Sequence, residues 1–203
     1  MRGFSAAKKH HDDNKNAFMP MFVLKKDGDS AEVRVLQAPD EWESIFVHSQ
    51  FKVIQSTRCP SDGAKDEALC PLCAANVPRK LRTFIPVRVR GDEENKVRMI
   101  EYGANHLAEV ISVMEELPTV TDITQFDFKV KRVGDDLDTK YRWFVQSETK
   151  HNLTEQERAL VLPDLAAAYP VLTGAALAAR GNVHGSNDVT PIGGEPAPPR
   201  ARF

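Results

Sequence analysis

Apolar and polar positions alternate with a period of two along much of the chain between Phe18 and about Val145. In "AEVRVL", Val33 and Val35 fall on one side and Glu32 and Arg34 on the other, the pattern of a half-buried strand. "TFIPVRVR" puts Ile85, Val87 and Val89 on one face and Phe84, Arg88 and Arg90 on the other. "VRMIEY" follows after the turn-like "GDEEN". "FDFKVKRV" turns Phe126, Phe128 and Val130 inward and Lys129 and Lys131 outward, and the loop "GDDLD" leads into "TKYRWFV". "IFV" and "FKVI" are short apolar runs on either side of His48. Short strands at this spacing predict a mainly β protein, a small barrel or sandwich with few helices.

Two stretches break the alternation. "NHLAEVISVMEEL" carries Leu107, Val110, Ile111 and Met114 at helical spacing, and Pro118 ends it. "TEQE" is a capping box in which Glu157 reaches back to the Thr154 amide, so a second helix is expected to start at Thr154. Pro163 breaks or kinks it, and the alanines up to Ala179 extend the helical segment over 148–180. The core is therefore placed at 18–147. Residues 1–17 are read as a polar, flexible arm with a basic cluster at Lys8, Lys9, His10 and His11. Residues 181–203, rich in Gly and Pro, are read as a disordered tail.

Composition narrows the class. At 203 residues, 41% hydrophobic and 28% charged, the chain can bury a core and remain soluble. No apolar run approaches the ~20 residues of a membrane helix. The N-terminal residues lack the apolar stretch of a signal peptide, so a cytoplasmic protein is expected. The net charge of -2 gives no global basic signature, and any nucleic-acid site has to be a local patch.

All three cysteines lie between His48 and Cys73. "CPLC" is a CxxC turn that brings the sulfurs of Cys70 and Cys73 to one side, and Pro71 stiffens it. Cys59 stands eleven residues upstream in "TRCP". A closed tetrahedral zinc site needs a fourth ligand, and His48, held on or between strands, is the nearest imidazole; His106 on the helix is its rival. The loop "SDGAKDEA" has too few apolar residues to fold alone, and metal would supply its order. A redox CxxC lacks a βαβ context here. A zinc deaminase would need H-x-E and a proline directly before CxxC, whereas Ser49, Gln50 and Leu69 occupy those positions. Three thiolates around Zn²⁺ leave one excess negative charge, and Lys52, Arg58, Arg79 and Lys80 lie around the site to offset it.

Two basic and aromatic faces follow. Arg79, Lys80, Arg82, Arg88, Arg90, Lys96 and Arg98 fall within twenty residues, and the Phe84, Arg88, Arg90 face of its strand offers a ring beside cations. That combination binds single-stranded nucleic acid, with bases stacking on rings and cations tracking phosphates. The second candidate comprises Lys129, Lys131, Arg132, Lys140 and Arg142 with Tyr141 and Trp143. Alternation separates Tyr141 and Trp143 from Lys140, Arg142 and Phe144 without saying which face is core. No paired carboxylates, nucleophile elbow or phosphate loop stands in a context that would make the chain an enzyme.

The order "AEVRVL", "FVHSQF", "C", "CPLC", a basic strand, "YG", an amphipathic helix and "DFKVKRVGDDLDTKY" resembles the zinc-containing single-stranded-DNA-binding proteins of tailed bacteriophages, over residues 20 to 145. The resemblance implies an oligonucleotide-binding (OB-fold) five-stranded barrel with an inserted zinc subdomain at about 48–78. It implies one structural Zn²⁺ on His48, Cys59, Cys70 and Cys73, and DNA contacts near Phe84, Arg88, Arg90 and Tyr141. It further implies cooperative, sequence-independent binding of single strands in phage replication, recombination and repair, with self-association along DNA and replication or recombination proteins as partners. Two features depart from that family: only three tyrosines, and a proline-rich tail ending "RARF" in place of an acidic one. The competing reading is a zinc-stabilised protein-interaction module without DNA binding.

Overall fold

The structure is a computed structural model that describes residues 19–50, 54–116, 122–135, 138–146 and 149–177. The expected N-terminal arm and proline-rich tail lie outside the described residues. Seven strands form one antiparallel sheet: β1 (Ser30–Val35), β2 (Glu43–Gln50), β3 (Ile54–Arg58), β4 (Arg79–Val89), β5 (Val97–Tyr102), β6 (Asp127–Val133) and β7 (Lys140–Val145). The order is β3-β2-β4-β1-β6-β7, with β5 paired to β4. The eleven-residue β4 is the spine, pairing with β2 through its first half, with β1 through its end, and with β5.

One face of this sheet carries Val33, Val35, Ile85, Val87, Ile100, Phe128, Val130 and Trp143 into the main core. Helix α2 (Ala104–Glu116), which follows a single turn α1 (Pro71–Ala74), covers that core with Val110 and the partly buried Leu107, Val113 and Met114. The helix is as expected from its spacing, although Ile111 stays 43% exposed.

The sheet's ladders leave it open, in contrast to the five-stranded barrel that the family resemblance implied: among the described residues no ladder joins β5 to β7. Side chains fill that gap. Trp143 Nε1 donates to the Tyr102 hydroxyl at 3.1 Å, and Tyr141 packs between Tyr102 and His106. The incoming chain also bridges it in part. Met21 pairs with Met99 of β5, and Gly28 and Asp29 then bond to Arg132 of β6. Among the described residues no helix is long and apolar enough to cross a membrane.

The segment after β7 departs from a continuous helix. It consists of single turns, α3 (Glu155–Arg158), α4 (Leu165–Ala168) and a last turn at 174–177, separated by Pro163 and Pro170. The Thr154–Glu157 capping box is present as the sequence predicts. This strap lies across the outer face of β2, β4 and β5. There Leu153, Leu160, Leu165 and Tyr169 join Ile45, Val47, Phe84, Val97 and Met99 in a second apolar cluster.

Candidate metal centre and nucleic-acid interface

The cysteine stretch is built from three pieces of chain. β2 presents His48. The chain leaving β3 is pinned by the Cys59 amide, which donates to Phe46 O at 2.7 Å. Cys70 caps α1 with Pro71 at its first position, where a missing N–H costs nothing and φ is already helical. Cys70 and Cys73, three apart in one turn, then face the same way. Asn76, at φ 56°, ends the turn and lets Val77 N reach Leu72 O.

The result is four buried side chains whose ligand atoms lie within 4.8 Å of one another: His48, Cys59, Cys70 and Cys73. His48 Nδ1 faces Val77 O at 3.1 Å, a contact that fixes the proton there and leaves the Nε2 lone pair for the sulfurs. Nε2 lies 3.3 Å from Cys70 Sγ and 3.5 Å from Cys73 Sγ, and Cys59 and Cys73 Sγ are 3.8 Å apart. Metal–sulfur bonds of ~2.3 Å in a tetrahedron require sulfurs about 3.8 Å apart, so the donor set fits one soft divalent cation. Leu72, Leu172 and Leu177 jacket the cluster and keep it dry. The rival imidazole, His106, is engaged elsewhere, with Nε2 against Thr139 O at 3.0 Å.

Protonation agrees with that chemistry. Burial holds His48 below its ordinary value, so the imidazole is neutral at physiological pH, the form that can ligate a metal. Burial and the two neighbouring sulfurs push the Cys73 thiol up to about 12. Burial also works against the Cys59 thiolate, but donation from Ser61 and the Arg79 guanidinium prevails and brings that thiol below its ordinary value. A divalent cation bound between the sulfurs would relieve the penalty on the Cys73 thiolate.

The predicted nucleic-acid residues separate into two groups. Phe84 is 0% exposed, and its ring packs against Tyr169 with centroids 5.4 Å apart. It is a core residue, not an exposed stacking plate, because the strap covers this half of the outer face. Arg88 and Arg90 lie on the same face, half-buried and engaged. Arg90 bonds Asp127 Oδ1 through Nη2 at 2.8 Å and Glu157 Oε1 through Nη1 at 2.8 Å, and Arg88 Nη1 reaches Glu157 at 3.2 Å. Arg34, on the side of β1 opposite Val33 and Val35, is buried and bonded to Asp127, Thr124 O and His151 O. Trp143 and Tyr141, whose face the alternation left open, turn inward. Trp143 is 5% exposed in the main core, and Tyr141 is half-buried over the β5–β7 gap.

Lys129, Lys131, Lys140 and Arg142 are outward, which resolves the choice of face on β7. They share that face with a residue the sequence reading did not select, Phe144, which is 50% exposed. Phe144 sits directly opposite Lys129, Arg142 opposite Lys131 and Lys140 opposite Val133. Directly paired side chains start about 4.5–5.5 Å apart, so the ring and its cations form one patch. Glu32 lies opposite Lys129 on β1, and Glu109 Oε2 accepts from Arg142 at 2.7 Å, so the patch is cationic in balance rather than throughout. The signal for Phe144 was its shared parity with Lys140 and Arg142, once the indole next to it is assigned to the core.

No protein-family model and no curated protein matches the chain.

Proposed function

We propose that the chain is a non-enzymatic single-stranded-DNA-binding protein, a zinc-clamped β fold of OB type acting in phage replication, recombination and repair. The observation that carries this reading is the uncovered half of the outer sheet face, where exposed Phe144 lies opposite Lys129 and shares its face with Arg142, Lys131 and Lys140. A base stacks on the phenyl ring, worth ~1–3 kcal/mol, and the ammonium and guanidinium groups track the phosphates on either side. None of these contacts reads base identity, so binding is sequence-independent. The His48, Cys59, Cys70, Cys73 set holds one Zn²⁺ with no position left open, and the ion's role is to order the 59–78 lobe. The His–Cys–Cys-x-x-Cys order shared with the phage family supports the same reading.

A second reading, the protein-interaction module, is favoured by one feature. A cavity of about 500 Å³ lies between α2 and the turn Pro39–Glu41, lined by Trp42, Leu107, Ile111 and Met114, and is suited to an apolar side chain. Fluorescence anisotropy separates the two. The zinc-loaded protein is titrated into labelled oligo-dT and a matched duplex across a salt series. The DNA reading predicts preference for the single strand and log K falling by about 0.7 per neutralised phosphate. Equal, weak binding to both nucleic acids at low salt would leave the interaction module.

A further inference from the structure

We infer that Arg79 is the outer residue of the metal centre, the side chain that positions the Cys59 ligand and fastens the polar loop between Cys59 and Cys70 to the sheet. The inference rests on the metal reading above. Arg79 is the first residue of β4, paired to His48 across the ladder, so it starts beside a ligand. Its guanidinium lies over the Phe46 ring of β2, 3.8 Å from the centroid. From that seat Nη1 points at Cys59 Sγ, 3.8 Å away, and donates to Ser61 O at 3.1 Å, while Nη2 donates to Gly63 O. One planar group thus joins a strand, a ligand and two carbonyls of a loop that has little apolar surface of its own.

The electrostatics give the arrangement a purpose. Three thiolates and a divalent ion leave one excess negative charge in a buried site. A guanidinium N–H aimed at Cys59 Sγ offsets that charge where it resides. Lysine cannot replace it, because an ammonium is a point charge that cannot stack flat on Phe46 and reach three acceptors in one plane. Lys80, the next residue, is exposed and, by strand alternation, lies on the opposite face of β4 from Arg79.

The test uses the full chain loaded with Zn²⁺ or Co²⁺, with Arg79→Lys, Arg79→Leu and Lys80→Ala compared with wild type. Chelator competition measures zinc affinity, and the cobalt spectrum reports the thiolate ligand field. The expected result is a 10–100-fold loss of affinity in both Arg79 variants, with a displaced thiolate-to-cobalt band, while Lys80→Ala matches wild type. Wild-type affinity and spectrum in Arg79→Leu would overturn the inference. So would full rescue by Arg79→Lys, which would reduce the role to charge alone and decides the matter if Arg79→Leu fails to fold. Failure of the wild type to take up one equivalent of metal is a different outcome, and it removes the metal reading itself.

Discussion

The two halves of the outer sheet face carry the same kind of sequence and meet opposite fates. On β4, Phe84 alternates with Arg88 and Arg90; on β7, Phe144 alternates with Lys140 and Arg142. The first ring is fully buried and its arginines are paired to Asp127 and Glu157. The second ring is half exposed and, of the cations on its face, Arg142 is the one that pairs with a carboxylate among the described residues, Glu109. Period-two alternation states which residues share a face and nothing about what lies over it. The covering is supplied by the strap at 149–177, some seventy residues further along the chain than β4. An aromatic ring between cations is therefore a binding surface only where no later segment returns to use it as a seat.

Four predictions probe this difference, from the largest effect to the smallest. Metal removal comes first, since structural zinc contributes on the order of 10–16 kcal/mol in small peptides. Leu172 and Leu177 of the strap pack on the cysteine cluster, so stripping the metal should loosen the covered half from one end. Hydrogen exchange should show protection lost across 59–78 and 170–177 and kept in β6 and β7. Protection retained in the lobe after chelation would show that the apolar jacket suffices without metal.

Phe84→Ala should cost about 3–5 kcal/mol of stability, read from urea unfolding, because it opens a cavity between β4 and the strap. The equivalent cut at exposed Phe144 should stay within ~0.5 kcal/mol. Equal costs would erase the distinction between the halves.

Glu157 comes third. Burial works against its charge, but bonds from the Thr154 amide and from Arg90 hold its carboxyl below the ordinary range. A depressed folded-state pKa means stability that is fully present above the unfolded value, near 4.3, and lost as pH falls through the lower folded value. Glu157→Gln should lower stability by roughly 1–3 kcal/mol at neutral pH, leaving half-buried Arg88 without its charged acceptor and Arg90 with Asp127 as its remaining carboxylate. The gap from wild type should narrow as pH falls below the unfolded value and close below the depressed folded one. A gap that persists in acid would mean the ion pairs are not what holds the strap.

The smallest effect is at Lys131. Its replacement by Ala should leave folding intact and reduce the salt slope of single-strand binding by about 0.7. Lys96→Ala, an exposed cation already beside Glu94, should leave the slope unchanged.

Local features were legible in the sequence and distant ones were not. The four metal-ligand candidates could be read because short-range rules govern them: a CxxC turn stiffened by Pro71, one further cysteine, and a histidine on a strand. The capping box at Thr154 and the helix at Ala104–Glu116 follow from equally local chemistry. The burial of Phe84 could not be read from alternation, because it depends on Leu165 and Tyr169 arriving from far along the chain. One local sign was present: the unbroken apolar run Phe84-Ile85-Pro86-Val87 fills both faces of β4, as strands covered on both sides do. Trp143 was the opposite case, a ring whose bulk and Nε1–H found the Tyr102 hydroxyl inside and so sent Phe144 outward.

The most direct test of the account is the affinity of Phe144→Ala for labelled oligo-dT, measured by anisotropy beside wild type at matched salt and metal loading. The account predicts a loss of about 1–3 kcal/mol, roughly five- to 150-fold, with unfolding midpoints unchanged. Wild-type affinity in that variant would contradict it and show that any single strand is held elsewhere on the molecule.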